Sequence, residues 1–180
     1  MPSPIHALVL ALAALATTTL ATPTPADYHH TATHSKRVTY HPSDRHDYCG
    51  EVAVARYTYG PAAPLITDCQ AIPRAHPGPG YWSITPADTL AAGGDRWVRL
   101  ATSGTCAFEV RAERRTGQGD KDLFEWNFGT NDLNFYSGRV GWGKEGKGDG
   151  REAVASTVGC ITTRVGEGRW VDVGWRTTLA

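Results

Sequence analysis

Hydrophobic positions along the chain fall into a leader, a long polar stretch, and then a series of short patterned runs. Ala7 to Ala16 is an unbroken apolar run behind a brief polar start, followed by small residues that end in Thr-Leu-Ala21. That order predicts a signal peptide over residues 1–21, cleaved after Ala21, because a ten-residue apolar run is too short to span a bilayer. Residues 22–47 show a period of neither 2 nor 3.6, so no element is expected there. Between 61 and 72, Leu65, Cys69 and Ile72 recur at i, i+4 and i+7, with Pro64 at the first helical position and Pro73 behind. This predicts a short helix with Cys69 on its inward face. The runs 96–101 and 105–111 alternate around Ser103-Gly104 and predict a tight hairpin. On its second strand Cys106, Phe108 and Val110 share the apolar face, while Glu109 and Arg111 share the other. Further strands are predicted at 51–57, 81–84, 122–127, 158–163 and 169–176, with a short helix at 131–137. The fold class that follows is α+β: a small antiparallel sheet with one or two short helices packed on it, in one domain over residues 47–180.

A chain with an export leader and four cysteines is expected to form two disulfides, for which sequence alone allows three connectivities. A helix laid on the apolar strand face brings Cys69 to Cys106, which leaves Cys49 for Cys160. Lys36-Arg37, in the unpatterned segment, matches a kexin-type processing site and predicts a propeptide over 22–37 followed by a disordered tail over 38–46. Five of the seven histidines (His29, His30, His34, His41 and His46) lie in that segment, none at a spacing that suits a metal with cysteine partners, so no metal is expected.

Without the first 37 residues, 143 remain, carrying 16 basic and 17 acidic side chains. One domain of that length buries a real core, and its charge balance gives no electrostatic case for nucleic acid or an anionic membrane.

The candidate chemistry is sparse. Gly138 to Lys144 fits the first seven positions of a phosphate loop, but Glu145 stands where the magnesium-binding hydroxyl is needed. Asp120 and Asp122 resemble the start of a calcium loop without its glycine or closing glutamate. There is no Gly-x-Ser-x-Gly, the cysteines are committed to bridges, and His76 is the one histidine within the patterned region. Glu109, Glu113, Asp132 and Asp172 are candidates for a carboxylate pair of the glycosidase kind, with no spacing that favours any two of them. Most of the six tryptophans are expected in the core and a minority on a sugar- or partner-binding surface. No catalytic residue and no cofactor is expected.

Seven segments occur in a telling order: Asp47-Tyr-Cys49-Gly50, Pro64-Leu-Ile-Thr-Asp68-Cys69, Tyr81-Trp82, Gly104-Thr-Cys106-Ala-Phe108, Gly129-Thr-Asn-Asp132, Gly138-Arg-Val140-Gly141 and Gly159-Cys160. The set resembles the fungal necrosis-inducing factor domain, also called the extracellular-protein-2 effector family, over residues 47–160. It departs from the family pattern in giving the helix after Asp132 barely one turn before Gly138, and in an expanded Gly/Lys/Glu/Asp segment before Cys160. The resemblance implies a secreted fungal effector that provokes or modulates plant cell death through a recognition surface, with a host plant surface component as partner. It brings no catalytic residues. No nucleic acid and no membrane span are expected, and the expected form is a monomer. An antimicrobial, killer-toxin-like protein and a secreted carbohydrate-binding protein are the alternative readings.

Overall fold

The computed structural model describes residues 38–52, 54–75, 78–113, 124–142, 150–161 and 170–180. Expectations for Ala21, Lys36 and Arg37, for His29, His30, His34 and His76, and for Asp120, Asp122 and Lys144 lie outside the described residues.

Strand β1 (Thr39–Pro42) is followed by β2 (Arg56–Tyr59), α1 (Ile66–Ala71) with a 3₁₀ turn at Ile72–Ala75, β3 (Gly80–Ile84) and α2 (Pro86–Ala91). Then come β4 (Val98–Ser103), β5 (Cys106–Ala112), β6 (Trp126–Gly129), α3 (Thr130–Ser137), β7 (Glu152–Ile161) and β8 (Trp170–Leu179). The strands form two antiparallel sheets, one of three strands in the order β1-β3-β6 and one of five in the order β2-β7-β8-β5-β4. The α+β class holds, with the β component dominant and divided between two sheets.

Alternation explains the larger sheet. In β5, Cys106, Phe108 and Val110 are wholly buried, and in β8 Val171, Val173, Trp175 and Thr177 point the same way. Phe108 stacks on Trp175, and Trp175 stacks on Tyr136 from α3, with centroid distances of 5.9 and 5.0 Å. Phe108 also meets Phe128 of β6 at 5.7 Å, so aromatic rings join the two sheets in one core.

Both disulfides are present, Cys69–Cys106 and Cys49–Cys160. They close loops of 37 and 111 residues, the smaller nested inside the larger. In the chain-entropy description such loops stabilise by roughly 4 and 5 kcal/mol before strain is subtracted.

Several expected boundaries move. The stretch 38–46 is not a disordered tail: β1 pairs with β3 from Thr39 opposite Ser83 to Pro42 opposite Gly80, and Val38 packs on the core. A four-residue strand anchored by ring contacts, Tyr40 with Trp82 and His41 with Tyr81, leaves no periodicity to read. Helix α1 starts at Ile66 because Leu65 is held extended, in a β-bridge to Arg151, and Pro64 therefore lies ahead of the helix. Pro73 sits within the 3₁₀ turn instead of ending the helical path. The strand expected at 51–57 is β2 at 56–59, that at 122–127 is β6 at 126–129, and that at 158–163 is the longer β7. The helix expected at 131–137 is α3 at 130–137, and its path after Asp132 runs five residues, more than the single turn read against the family pattern.

Candidate functional site

Two clusters of side chains, one around each disulfide, organise the molecule. The first begins at the hairpin turn, where Ser103 pairs with Cys106 across Gly104-Thr105. Gly104 has φ +52°, and a Cβ there would lie 2.5 Å from the Asp68 carboxyl carbon, so only glycine fits on both counts. Asp68 accepts from the Thr105 backbone N–H at 2.7 Å and from its hydroxyl at 2.8 Å. The same hydroxyl oxygen accepts from Leu65 N–H at 2.9 Å, just ahead of α1. These bonds to Thr105 hold the Asp68 carboxyl below its ordinary pKa. Helix and hairpin are thereby locked together where Cys69 meets Cys106.

The second cluster centres on Asp132, third residue of α3. Its carboxylate is buried and accepts from the backbone N–H groups of Tyr48 (2.9 Å), Gly129 (2.9 Å) and Cys49 (3.2 Å). The Asp47 side chain hydrogen-bonds it as well. Burial outweighs the three backbone donors and pushes the Asp132 carboxyl up to about 7. Nearby, the Tyr136 hydroxyl donates to the Gly50 carbonyl at 2.6 Å, and burial raises its pKa well above the ordinary value. Gly50 N–H donates to Gly159, and Ile161 N–H donates to Tyr48, on either side of the Cys49–Cys160 bridge. Asp132 thus ties the N-terminal segment to α3 while the disulfide ties it to β7.

The remaining carboxylate candidates are dispersed. Glu109, buried on the outer face of β5, binds Arg99 at 3.0 Å and Arg176 at 2.8 Å. Glu113 binds Arg111 at 3.0 Å, and the Trp97 ring is stacked by the Arg111 and Arg176 guanidinium groups at 4.4 and 4.2 Å. Asp172 is exposed on β8, its carbonyl accepting from Glu113 N–H. The described contacts give Glu109, Glu113 and Asp132 three different sets of partners, and none of them joins two of the four candidates side chain to side chain. Among the described residues no three of His, Cys, Asp and Glu converge in a way that would hold a metal. No described helix is long and apolar enough to cross a membrane. Gly138, of the phosphate-loop-like run, ends α3 and donates to Asn134.

Trp82, Trp126 and Trp175 are buried and Trp97 is half-buried, whereas Trp142 and Trp170 are 66% and 58% exposed. Sequence reasoning missed what surrounds Trp142: the Arg139 guanidinium lies over the Phe135 ring at 4.8 Å and over the Trp142 ring at 5.0 Å. The i, i+4 spacing of Phe135 and Arg139 was the available signal.

The class defined by these features is a small, two-sheet, disulfide-stapled domain in which the Asp68 and Asp132 carboxylates are spent on holding segments together. The family model described as pathogen effector, putative necrosis-inducing factor, matches residues 48–160, more than half of the chain, and the chain belongs to that family. No curated protein matches it.

Proposed function

We propose that this protein is a secreted fungal effector that provokes or modulates plant cell death through a folded recognition surface and not by catalysis. It acts as a monomer on a component of the host plant surface. The observation that carries this reading is the fate of the family's own motif residues. Asp68, Gly104 and Thr105 are consumed around Cys69–Cys106, and Gly129 and Asp132 around Cys49–Cys160. What the family shares is therefore scaffold, and two bridges suit a protein released among proteases.

Infiltration of the oxidised protein into leaves tests this. Glu113→Ala and Asp172→Ala are expected to keep cell-death activity within about a few fold, as for surface substitutions in general. Glu109→Gln and Asp132→Asn are expected to lose activity only in proportion to the folded protein lost. A carboxylate variant that folds normally and is inactive would overturn the reading in favour of a hydrolase.

Maturation is part of the same proposal: the leader is removed after Ala21 and the propeptide after Arg37. In support, Val38 packs on the core and β1 starts at Thr39, so cutting after Arg37 keeps every described residue. Mass spectrometry of the secreted protein is expected to find Val38 as the first residue, or Thr22 where no processing protease acts. An intact leader would refute export.

A further inference from the structure

The arginines of this molecule differ in how their stacking is completed. Arg111 and Arg176 lie on Trp97, and each also holds a carboxylate, from Glu113 and from Glu109 and Asp95. Arg45 rests on the single ring of Tyr48 and is exposed. Arg139 lies over two rings, Phe135 and Trp142, yet it has no ion pair among the described residues, and its Nε–H is buried without an acceptor. An arginine stacked in this way has its planar fork held in place, and its terminal Nη edge, which unlike the Nε–H is not buried without a partner, is the side that can receive a carboxylate edge-on. Among the described residues no carboxylate is supplied to it.

The surroundings indicate what would bring one. Phe135 is 46% exposed and Trp142 66%; the exposed amide of Asn131 lies about one turn before Phe135 on the same side of α3, with the exposed amide of Asn134 beside it at i+3. The large exposed aliphatic residues, Val54, Leu90 and Leu179, belong to other segments. Aromatic rings and arginine are common to protein-docking faces as well, but those are built around a desolvated apolar core, whereas this stripe sets its two rings beside two exposed amides with no aliphatic residue among them. Ring faces suit the C–H face of a sugar, amides its hydroxyls, and the guanidinium an acid group.

We propose that the stripe Asn131, Asn134, Phe135, Arg139 and Trp142 binds an acidic polysaccharide through its uronate sugars. The proposal rests on the reading of the protein as one that works by extracellular recognition, and it names the ligand class of that surface.

The test is binding of the oxidised, full-length secreted protein to polygalacturonate, followed by calorimetry and by retention in affinity electrophoresis. Arg139→Met and Trp142→Ala are each expected to weaken binding roughly tenfold or more, as for loss of a charge-assisted contact. Added salt is expected to weaken it too, and fully methyl-esterified polygalacturonate, which keeps the sugar ring and loses the charge, is expected not to bind. This last arm needs no variant, so the proposal stays refutable even if a substitution disturbs folding. Absence of binding, equal binding by both variants, equal retention on neutral glucan, or competition by polyglutamate as strong as by uronate oligomers would each overturn it. Binding without any leaf response would leave this site standing and remove the cell-death reading; a leaf response without binding would do the reverse.

Discussion

Asp132 shows how the oxygens of a buried carboxylate can be committed to holding distant segments together. A carboxylate raised to about 7 in a cleft would suggest a general acid, but here three backbone N–H groups and Asp47 occupy it. Its consequence is for stability. The folded protein keeps a proton on Asp132 that the unfolded chain, at the ordinary carboxylate value, has already released. Stability from this group is therefore greatest below pH 4 and falls as the pH rises from about 4 to about 7. Asp68 runs the other way: its lowered pKa contributes stability above the ordinary carboxylate range that is lost on acidification. Urea unfolding of Asp132→Asn between pH 5 and 7.5 is expected to show a flatter pH dependence than the unmodified protein. It is also expected to show a lower midpoint, because an amide oxygen cannot replace both carboxylate oxygens and its NH₂ faces backbone donors, at about 1–3 kcal/mol.

Among the elements, legibility followed periodicity. The hairpin of β4 and β5, the inward face of α1 and the last strand were readable because Cys106, Phe108, Val110 and Val171, Val173, Trp175 alternate cleanly, and these faces were enough to pair the cysteines. Half of β7 was hidden because Ala153, Ala155 and Ser156 blur its alternation, and β1 because its partners are more than 35 residues away. Helix α2 was missed although its signal was present: Thr85 and Asp88 form a capping box, with Pro86 at the first turn. The two polar clusters were not legible, since Asp132 meets Tyr48 across 84 positions and no periodicity reports a contact of that range. The surface stripe was half-visible, as an exposed-Trp expectation without its arginine. At this scale Gly104→Ala is the sharpest probe. It places a Cβ against the Asp68 carboxyl at positive φ, and a loss of about 2 kcal/mol or more is expected from strain and the displaced Asp68–Thr105 bonds, measured by thermal unfolding.

In the whole molecule, the aromatic stack Phe108, Trp175 and Tyr136 and the two bridges share the task of holding two small sheets together. Trp175→Ala is expected to cost about 3–5 kcal/mol, a large share of the stability of a domain this size. Removing Cys69–Cys106 by paired serine substitution is expected to cost about 2–5 kcal/mol and to abolish leaf activity through unfolding. Circular dichroism of the same preparation checks both, since loss of activity with native ellipticity and melting would show the bridge to have a role other than stability.

The nesting of the bridges has one more outcome, in how the molecule meets a peptidase. A cut between 70 and 105 leaves both halves joined by two covalent links, and a cut elsewhere between Cys49 and Cys160 leaves them joined by one. No single scission inside residues 50–159 can release a fragment, so degradation there becomes a two-hit process. A nicked population would migrate as intact protein until reduced, and would be counted as surviving in any assay run without a thiol.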